Sequence, residues 1–125
     1  MTSAILILLA EDETLLQIPA EDALRAGGFD VVLANSGEQA IRTLNESINE
    51  ISGLITDVRM GEGPSGWDVA RHARSLKPQI PVVYATGQSA DEWAVEGVPH
   101  SILVQKPFAD AQLITAISEL LNSRD

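Results

Sequence analysis

Apolar residues along this chain fall into two alternating spacings. Residues 4–10, Ala-Ile-Leu-Ile-Leu-Leu-Ala, form an unbroken apolar run. That pattern predicts a parallel strand buried on both faces. The acidic triplet Glu11-Asp12-Glu13 ends it. Thr14-Leu15-Leu16-Gln17 has capping-box spacing and predicts a helix start. Leu16, Ala20, Ala23 and Leu24 would line its inward face, and Gly27-Gly28 would stop it. If Pro19 lies more than one turn in, it removes a backbone bond and should kink the helix. Residues 29–34 predict a second strand. Ser36-Gly37-Glu38-Gln39 repeats the capping-box spacing ahead of a helix with Ala40, Ile41 and Leu44 inward. Residues 45–52 are polar apart from Ile48 and Ile51 and predict a frayed loop.

Gly53-Leu54-Ile55-Thr56-Asp57 predicts a short buried third strand with a carboxylate where it runs out. A loop rich in glycine and proline follows, and Ser65 or Gly66 starts a helix carrying Val69, Ala70, Ala73 and Leu76. It must end before Pro78. Residues 81–85 predict a fourth strand, with proline at its first position, where it is tolerated. Thr86-Gly87-Gln88 reads as a loop. Ser89-Ala90-Asp91-Glu92 has capping-box spacing, but the helix after it is short and weakly apolar, and Gly97-Val98-Pro99 ends it. Residues 101–105 predict a fifth strand. Lys106-Pro107 breaks the chain before a last helix over residues 110–121, with Leu113, Ile117, Leu120 and Leu121 inward.

Five strands alternating with five helices predict an α/β fold with a parallel sheet covered on both faces. Right-handed crossovers leave few topologies, and order 2-1-3-4-5 suits five units of this length. The 125 residues predict one domain, residues 1–125, with no output domain. No cysteine is present, which excludes disulfides and thiolate metal sites. No apolar run reaches membrane-spanning length, and Met1-Thr2-Ser3 lacks the basic region of a signal peptide, so a cytoplasmic protein with no membrane partner is expected. The net charge of −10 argues against nucleic-acid binding, which needs Lys and Arg to neutralise phosphates. It suits solubility, and also a divalent cation or a basic partner.

In the expected sheet order, strands one and three are neighbours, and the ends of all strands share one edge. Glu11, Asp12 and Asp57 then meet in one crevice, where ligands bind in open α/β sheets. Three carboxylates repel, so one takes a proton or a cation binds among them. A hard ion such as Mg²⁺ takes oxygen ligands of this kind. Lys106 adds a fixed positive charge, Thr86 a hydroxyl, and Gly87 leaves space beside it. Those groups suit a phosphoryl group transferred to a carboxylate. Singly, each residue has an ordinary reading: a solvated helix start for Glu11-Asp12-Glu13, a turn for Asp57, a loop for Thr86-Gly87, a surface lysine for Lys106. Their joint placement carries the argument.

These elements resemble a response-regulator receiver domain of two-component signalling. The resemblance rests on Glu11-Asp12 after an apolar strand, Asp57 with Met60 three residues on, Thr86 after the fourth strand, and Lys106-Pro107 after the fifth. Tyr84-Ala85-Thr86-Gly87 is also similar to the Phe-Ala-Thr-Gly signature of the stand-alone receivers known as FATGUY. The resemblance implies the flavodoxin-like receiver fold and a phosphoacceptor that catalyses its own phosphotransfer and slow self-dephosphorylation. It implies that Asp57 accepts a phosphoryl group from a phosphohistidine on a sensor histidine kinase or phosphotransfer protein. Asp12, Asp57 and the backbone carbonyl of Arg59 would ligate Mg²⁺, with Glu11 acting directly or through water. Thr86 and Lys106 would bind phosphoryl oxygens, and Arg59 and Gln88 would tune the lifetime of the phosphate. The expected protein is a monomer that signals to a downstream protein partner or acts as a phosphate sink.

Three departures from the family pattern stand out. Glu11 replaces the commoner Asp, Gly61 replaces the usual proline after Met60 in a loop one residue longer, and Leu103 occupies a position where many receivers carry an aromatic. The alternative reading is a non-phosphorylated scaffold with the same fold. An aspartyl-nucleophile hydrolase is disfavoured because Arg59 stands where its second acid would be. A flavin-binding protein is disfavoured by the acidic loop after strand one. Trp67 and Trp93 are expected to be partly buried helix residues. His72 and His100 have no metal-ligand spacing.

Overall fold

The computed structural model describes residues 4–87, 90–107 and 109–123. Five strands alternate with helices: β1 (Leu6–Ala10), α1 (Thr14–Ala26), β2 (Asp30–Ala34), α2 (Gly37–Ser47), β3 (Ile51–Thr56), α3 (Gly66–Leu76), β4 (Val82–Thr86), α4 (Trp93–Glu96), β5 (Ile102–Gln105) and α5 (Asp110–Ser123). All strand pairs are parallel, and the order is β2-β1-β3-β4-β5, as the sequence predicts. The apolar runs take the centre because a strand buried on both faces cannot present a polar residue to either side. Ile7, Leu8, Leu54 and Ile55 are completely buried.

Alternation of side chains across the sheet divides the core in two. Leu8, Leu54, Val82 and Tyr84 face α2 and α3, where they meet Leu44, Val69, Ala70 and Ala73. Ile7, Ile55, Val83 and Val104 face α1 and α5, where they meet Leu24, Leu113 and Ile117. Gly53 faces the second of these layers at a narrow point. A Cβ there would stand 3.0 Å from Ile7 Cδ1 and 3.1 Å from Ile117 Cδ1.

Several local expectations are corrected. β3 begins at Ile51, because the β1–β3 register shifts there: Leu6 pairs with Ile51 but Ile7 with Gly53. The irregularity takes up Ser52, so a polar residue enters the strand without disturbing the ladder. Thr86 is the last residue of β4 rather than part of the loop. The cap of α1 is Glu13, not Thr14, and no side chain caps it. The helix runs on through Pro19. Its inward face is also rotated: Gln17 is buried, while Leu16 is 37% exposed. Leu76, expected inward, is 40% exposed at the end of α3, where the helix leaves the core.

At α2 the Ser36 side chain accepts from the Gln39 backbone N–H as expected, but Gln39 reaches back to the N–H of Asn35 instead of Ser36. A complete capping box forms at α3, between Ser65 and Asp68. The segment around α4 is a short 3₁₀ turn, Ala90–Glu92, and one helical turn, in keeping with its weak apolar content. Ser89, expected to cap it, lies outside the described residues.

Candidate functional site

Each polar strand end is placed by backbone bonds that extend the sheet by one residue. Glu11 N–H donates to the carbonyl of Ala34, continuing β1 against β2 at 3.0 Å. Asp57 N–H donates to the carbonyl of Ala10 at 2.9 Å, continuing β3 against β1. Lys106 N–H donates to Thr86 at 2.8 Å, joining β5 to β4. The polar residues therefore begin where the apolar ladder stops, and the parallel topology brings them to one edge.

Asp57 is tightly held. Its Oδ1 accepts from the N–H of Val58 at 2.7 Å, and its carbonyl accepts from the Thr56 hydroxyl at 2.7 Å. The chain then loops out and returns at Gly66, whose N–H donates to the Val58 carbonyl at 2.7 Å. A Cβ on Gly66 would lie 1.9 Å from the Asp57 carbonyl oxygen, so only glycine permits this approach. Gly61 and Gly63 adopt positive φ, 74° and 91°, which lets the intervening loop turn.

Lys106 Nζ lies 2.9 Å from Glu11 Oε1 and 3.4 Å from Asp57 Oδ2. The second oxygen of Glu11 accepts from the N–H of Glu13 at 3.2 Å. Glu11 and Asp57 are 5% and 8% exposed, whereas Asp12 is exposed. Burial disfavours the ionised form of Glu11. The hydrogen bond from Lys106 opposes that effect and the Asp57 charge adds to it, so the pKa of Glu11 rises from 4.5 to about 7. For Lys106, burial works against the charge, but the hydrogen bond to Glu11 and the two carboxylates outweigh it. Its pKa is held above the usual lysine value.

One carboxylate oxygen from each of Glu11, Asp12 and Asp57 lies within 4.8 Å of the others. Opposite ligands of an octahedral Mg²⁺ stand about 4 Å apart, so the three oxygens need to close by less than about 1 Å to share one such ion. The donor set also fits: hard oxygens only, with a single ammonium against two buried carboxylates. Thr86 is 2% exposed and lines a cleft of about 220 Å³ with Glu13, Asp57, Arg59, Gly87 and Lys106. The structure thus brings Glu11, Asp12, Asp57, Thr86 and Lys106 together. Arg59 borders the cleft, and its guanidinium turns outward to Glu92 Oε1 at 2.8 Å. Gln88 lies outside the described residues.

Three structural features escaped the sequence reading. Gln17 reaches the turn that carries Glu11, Gly66 makes room for Asp57, and Tyr84 anchors a distant loop. The Tyr84 ring is fully buried, packs against Trp67 at 4.7 Å between centroids, and accepts at its hydroxyl from the Val98 N–H at 3.1 Å. Trp93 donates to the Ser101 hydroxyl at 2.9 Å, which in turn donates to the Val98 carbonyl at 2.7 Å. Leu103 is half-buried and packs on the α2–α3 side of the core. Trp67 is buried and Trp93 is 37% exposed. The available signal for Gln17 was its spacing, since 17, 20 and 24 lie on one helix face.

Comparison with known proteins supplies the context. The family model for the response regulator receiver domain matches residues 7–118. The crystal structure of a response regulator receiver protein from Sinorhizobium medicae is 48% identical, with a TM-score of 0.95 over 98% of both chains. The receiver domain of the hybrid histidine kinase CckA is 28% identical, with a TM-score of 0.78 over 93% of this chain and 98% of that one. Among curated proteins, the sensor kinase CckA of Brucella abortus is 31% identical over 124 residues, 95% of this chain. The transcriptional regulatory protein ZraR of Escherichia coli is 35% identical over 92 residues, 74% of this chain. This chain spans only 13% and 20% of those two proteins. A match that runs through the whole sheet, from Ile7 in β1 to Ser118 in α5, shows that the chain belongs to the response regulator receiver domain family, the phosphoacceptor module of two-component signalling.

Proposed function

We propose that Asp57 is the phosphoryl acceptor, and that Glu11, Asp12, Asp57 and the backbone carbonyl of Arg59 hold a Mg²⁺ ion beside it. The observation that carries this reading is the burial of Glu11 and Asp57 at one sheet edge, their oxygens within 4.8 Å of Asp12, with Lys106 as their shared ammonium. Buried like charges are expensive to hold together for structure alone.

The donor is a phosphohistidine on a sensor histidine kinase or phosphotransfer protein. A carboxylate oxygen of Asp57 attacks phosphorus, a P–O bond forms, and the P–N bond to the imidazole breaks. The imidazole keeps that electron pair and takes up a proton. The bound ion would supply positive charge against the phosphoryl oxygens. Lys106 needs little movement to serve the same oxygens, since it already lies within 3.4 Å of Asp57. Thr86 offers its hydroxyl from the end of β4. The Val58 amide keeps the Asp57 carboxylate oriented throughout. Hydrolysis of the acyl phosphate by water returns the carboxylate and makes the signal transient. The signal passes to a protein partner or ends in a phosphate sink.

An amide NMR titration tests this, first with Mg²⁺ and then with beryllofluoride, on the native protein and on Asp57→Asn. Shifts at Glu11, Asp12 and Asp57 are expected with the ion, extending to Thr86 and Lys106 with the mimic and absent from the variant. A native protein that responds to neither overturns the proposal and leaves the scaffold reading.

A further inference from the structure

Gln17 is 6% exposed on the inward face of α1, beside Ala20 and Leu24. A buried amide is costly unless its N–H groups are bonded. Both N–H positions on Nε2 have acceptors. One is the carbonyl oxygen of Glu11 at 2.5 Å, and the other is Asn35 Oδ1 at 2.7 Å. Asn35 is fixed in turn, because its backbone N–H donates to Gln39 Oε1 at 2.6 Å. Gln17 therefore ties the turn after β1 to the turn after β2.

The carbonyl that Gln17 grips belongs to the peptide unit joining Glu11 to Asp12. That unit is planar, so holding its oxygen fixes the orientation of the plane through which the chain passes from Glu11 to Asp12. The Glu11 N–H is already held by Ala34. With the peptide units on both sides of Glu11 held, the direction of its Cα–Cβ bond is set by backbone, and the next unit is held where the Glu13 N–H donates to Glu11 Oε2 at 3.2 Å.

We propose that Gln17 is a positioning residue for the phosphoacceptor site. Through the Glu11–Asp12 peptide it holds the two carboxylates at the spacing a divalent cation requires. This rests on the metal reading given above. Outer partners of metal ligands commonly alter affinity by ten-fold or more when removed.

The test uses Gln17→Met, which keeps length and burial but has no donor, and Asn35→Ala, which leaves the Glu11 bond in place and removes its outer support. Ala73→Gly, in the core side of α3, serves as a control that destabilises the fold far from the acids. Mg²⁺ affinity is measured by calorimetry, and amide shifts are recorded in chelator-treated protein. The expected result is affinity about ten-fold weaker in Gln17→Met, a smaller loss in Asn35→Ala, and none in Ala73→Gly. Metal-free amide shifts of both site variants should change at Glu11, Asp12 and Glu13. Native-like affinity and unchanged shifts in Gln17→Met overturn the proposal, as does an equal loss in Ala73→Gly. If Gln17→Met does not fold, Asn35→Ala decides by the same criteria. A native protein that binds no Mg²⁺ refutes the metal reading instead, and the metal-free shifts then decide whether Gln17 sets the geometry of the acids.

Discussion

Replacing Glu11 by Gln should stabilise the metal-free protein above neutral pH. Glu11 is 5% exposed, so solvent screens it little, and its pKa rises from 4.5 to about 7. An acid whose folded pKa is raised binds its proton more tightly when folded. Its contribution to stability is complete below 4.5 and is lost as the pH rises through about 7. At about 1.4 kcal/mol for each pH unit, the loss at pH 8 is about 3 kcal/mol. Glutamine removes the charge but offers one oxygen where Lys106 and the Glu13 N–H now use two. Losing one of those bonds costs about 1 kcal/mol and leaves a net gain of about 2 kcal/mol. For a chain of this length, about 1 kcal/mol moves the melting temperature by about 4 °C, so the variant should melt about 8 °C higher at pH 8. At pH 5 the charge term falls to about 1 kcal/mol and is offset by the lost bond, so the difference should shrink nearly to zero. Circular-dichroism melts in chelator-containing buffer from pH 5 to pH 8 measure this directly. A variant no more stable than the native protein at pH 8, or a difference that stays constant with pH, refutes the reasoning. Saturating Mg²⁺ should favour the native protein instead, since a ligand stabilises the form that binds it better.

Two further substitutions test the framework around the site. Gly66→Ala places a Cβ 1.9 Å from the Asp57 carbonyl oxygen; overpacking and loss of the bond to Val58 should cost on the order of 3 kcal/mol. Its melting temperature should fall by about 12 °C with beryllofluoride binding lost, and native-like behaviour would show that the backbone can move aside. Tyr84→Phe strands the buried Val98 N–H and should cost about 1–3 kcal/mol at neutral pH. Burial raises the Tyr84 pKa above 10.0, so its contribution is complete below that value and is lost as the pH rises through the folded pKa. Melts from pH 9 to pH 11 should show the gap between native and Phe proteins narrowing with pH; a constant gap would mean that the hydroxyl titrates alike in the folded and unfolded chains and that burial does not raise its pKa.

The sheet was legible because each strand end is marked twice, by the stop of an apolar run and by the polar residue after it. Ala10 to Glu11 and Thr56 to Asp57 are such marks, and the crossover rule orders the strands between them. What failed is local and has a common cause: a polar side chain has more than one place to go. Thr14 and Gln17 have the spacing of a reciprocal cap, but Gln17 turns inward to Glu11 and Asn35 and Glu13 takes the cap position. Ser36 and Gln39 cap as predicted on one side only, because Asn35 lies within reach of the glutamine. Ser52 enters a strand through a shift in register that no hydrophobic pattern announces. The space demanded of Gly66 depends on Asp57, nine positions away, and only the returning loop reveals it.

Burial separates acids that sequence cannot rank. Glu11, Asp12 and Glu13 are adjacent carboxylates at a helix start, and all three suit the positive end of a helix dipole. A solvated helix start would leave each of them exposed. Asp12 and Glu13 are exposed, but Glu11 is enclosed with Asp57 and shares its lysine. With one ammonium against two buried carboxylates, burial and the Asp57 charge raise the pKa of Glu11, so at and above neutral pH the metal-free fold is less stable than a neutral side chain would leave it. A fold selected for stability alone would replace that acid. An arrangement that is locally unfavourable, held in place by Val58, Glu13 and Gln17, is the kind that a functional site retains against the stability of the fold.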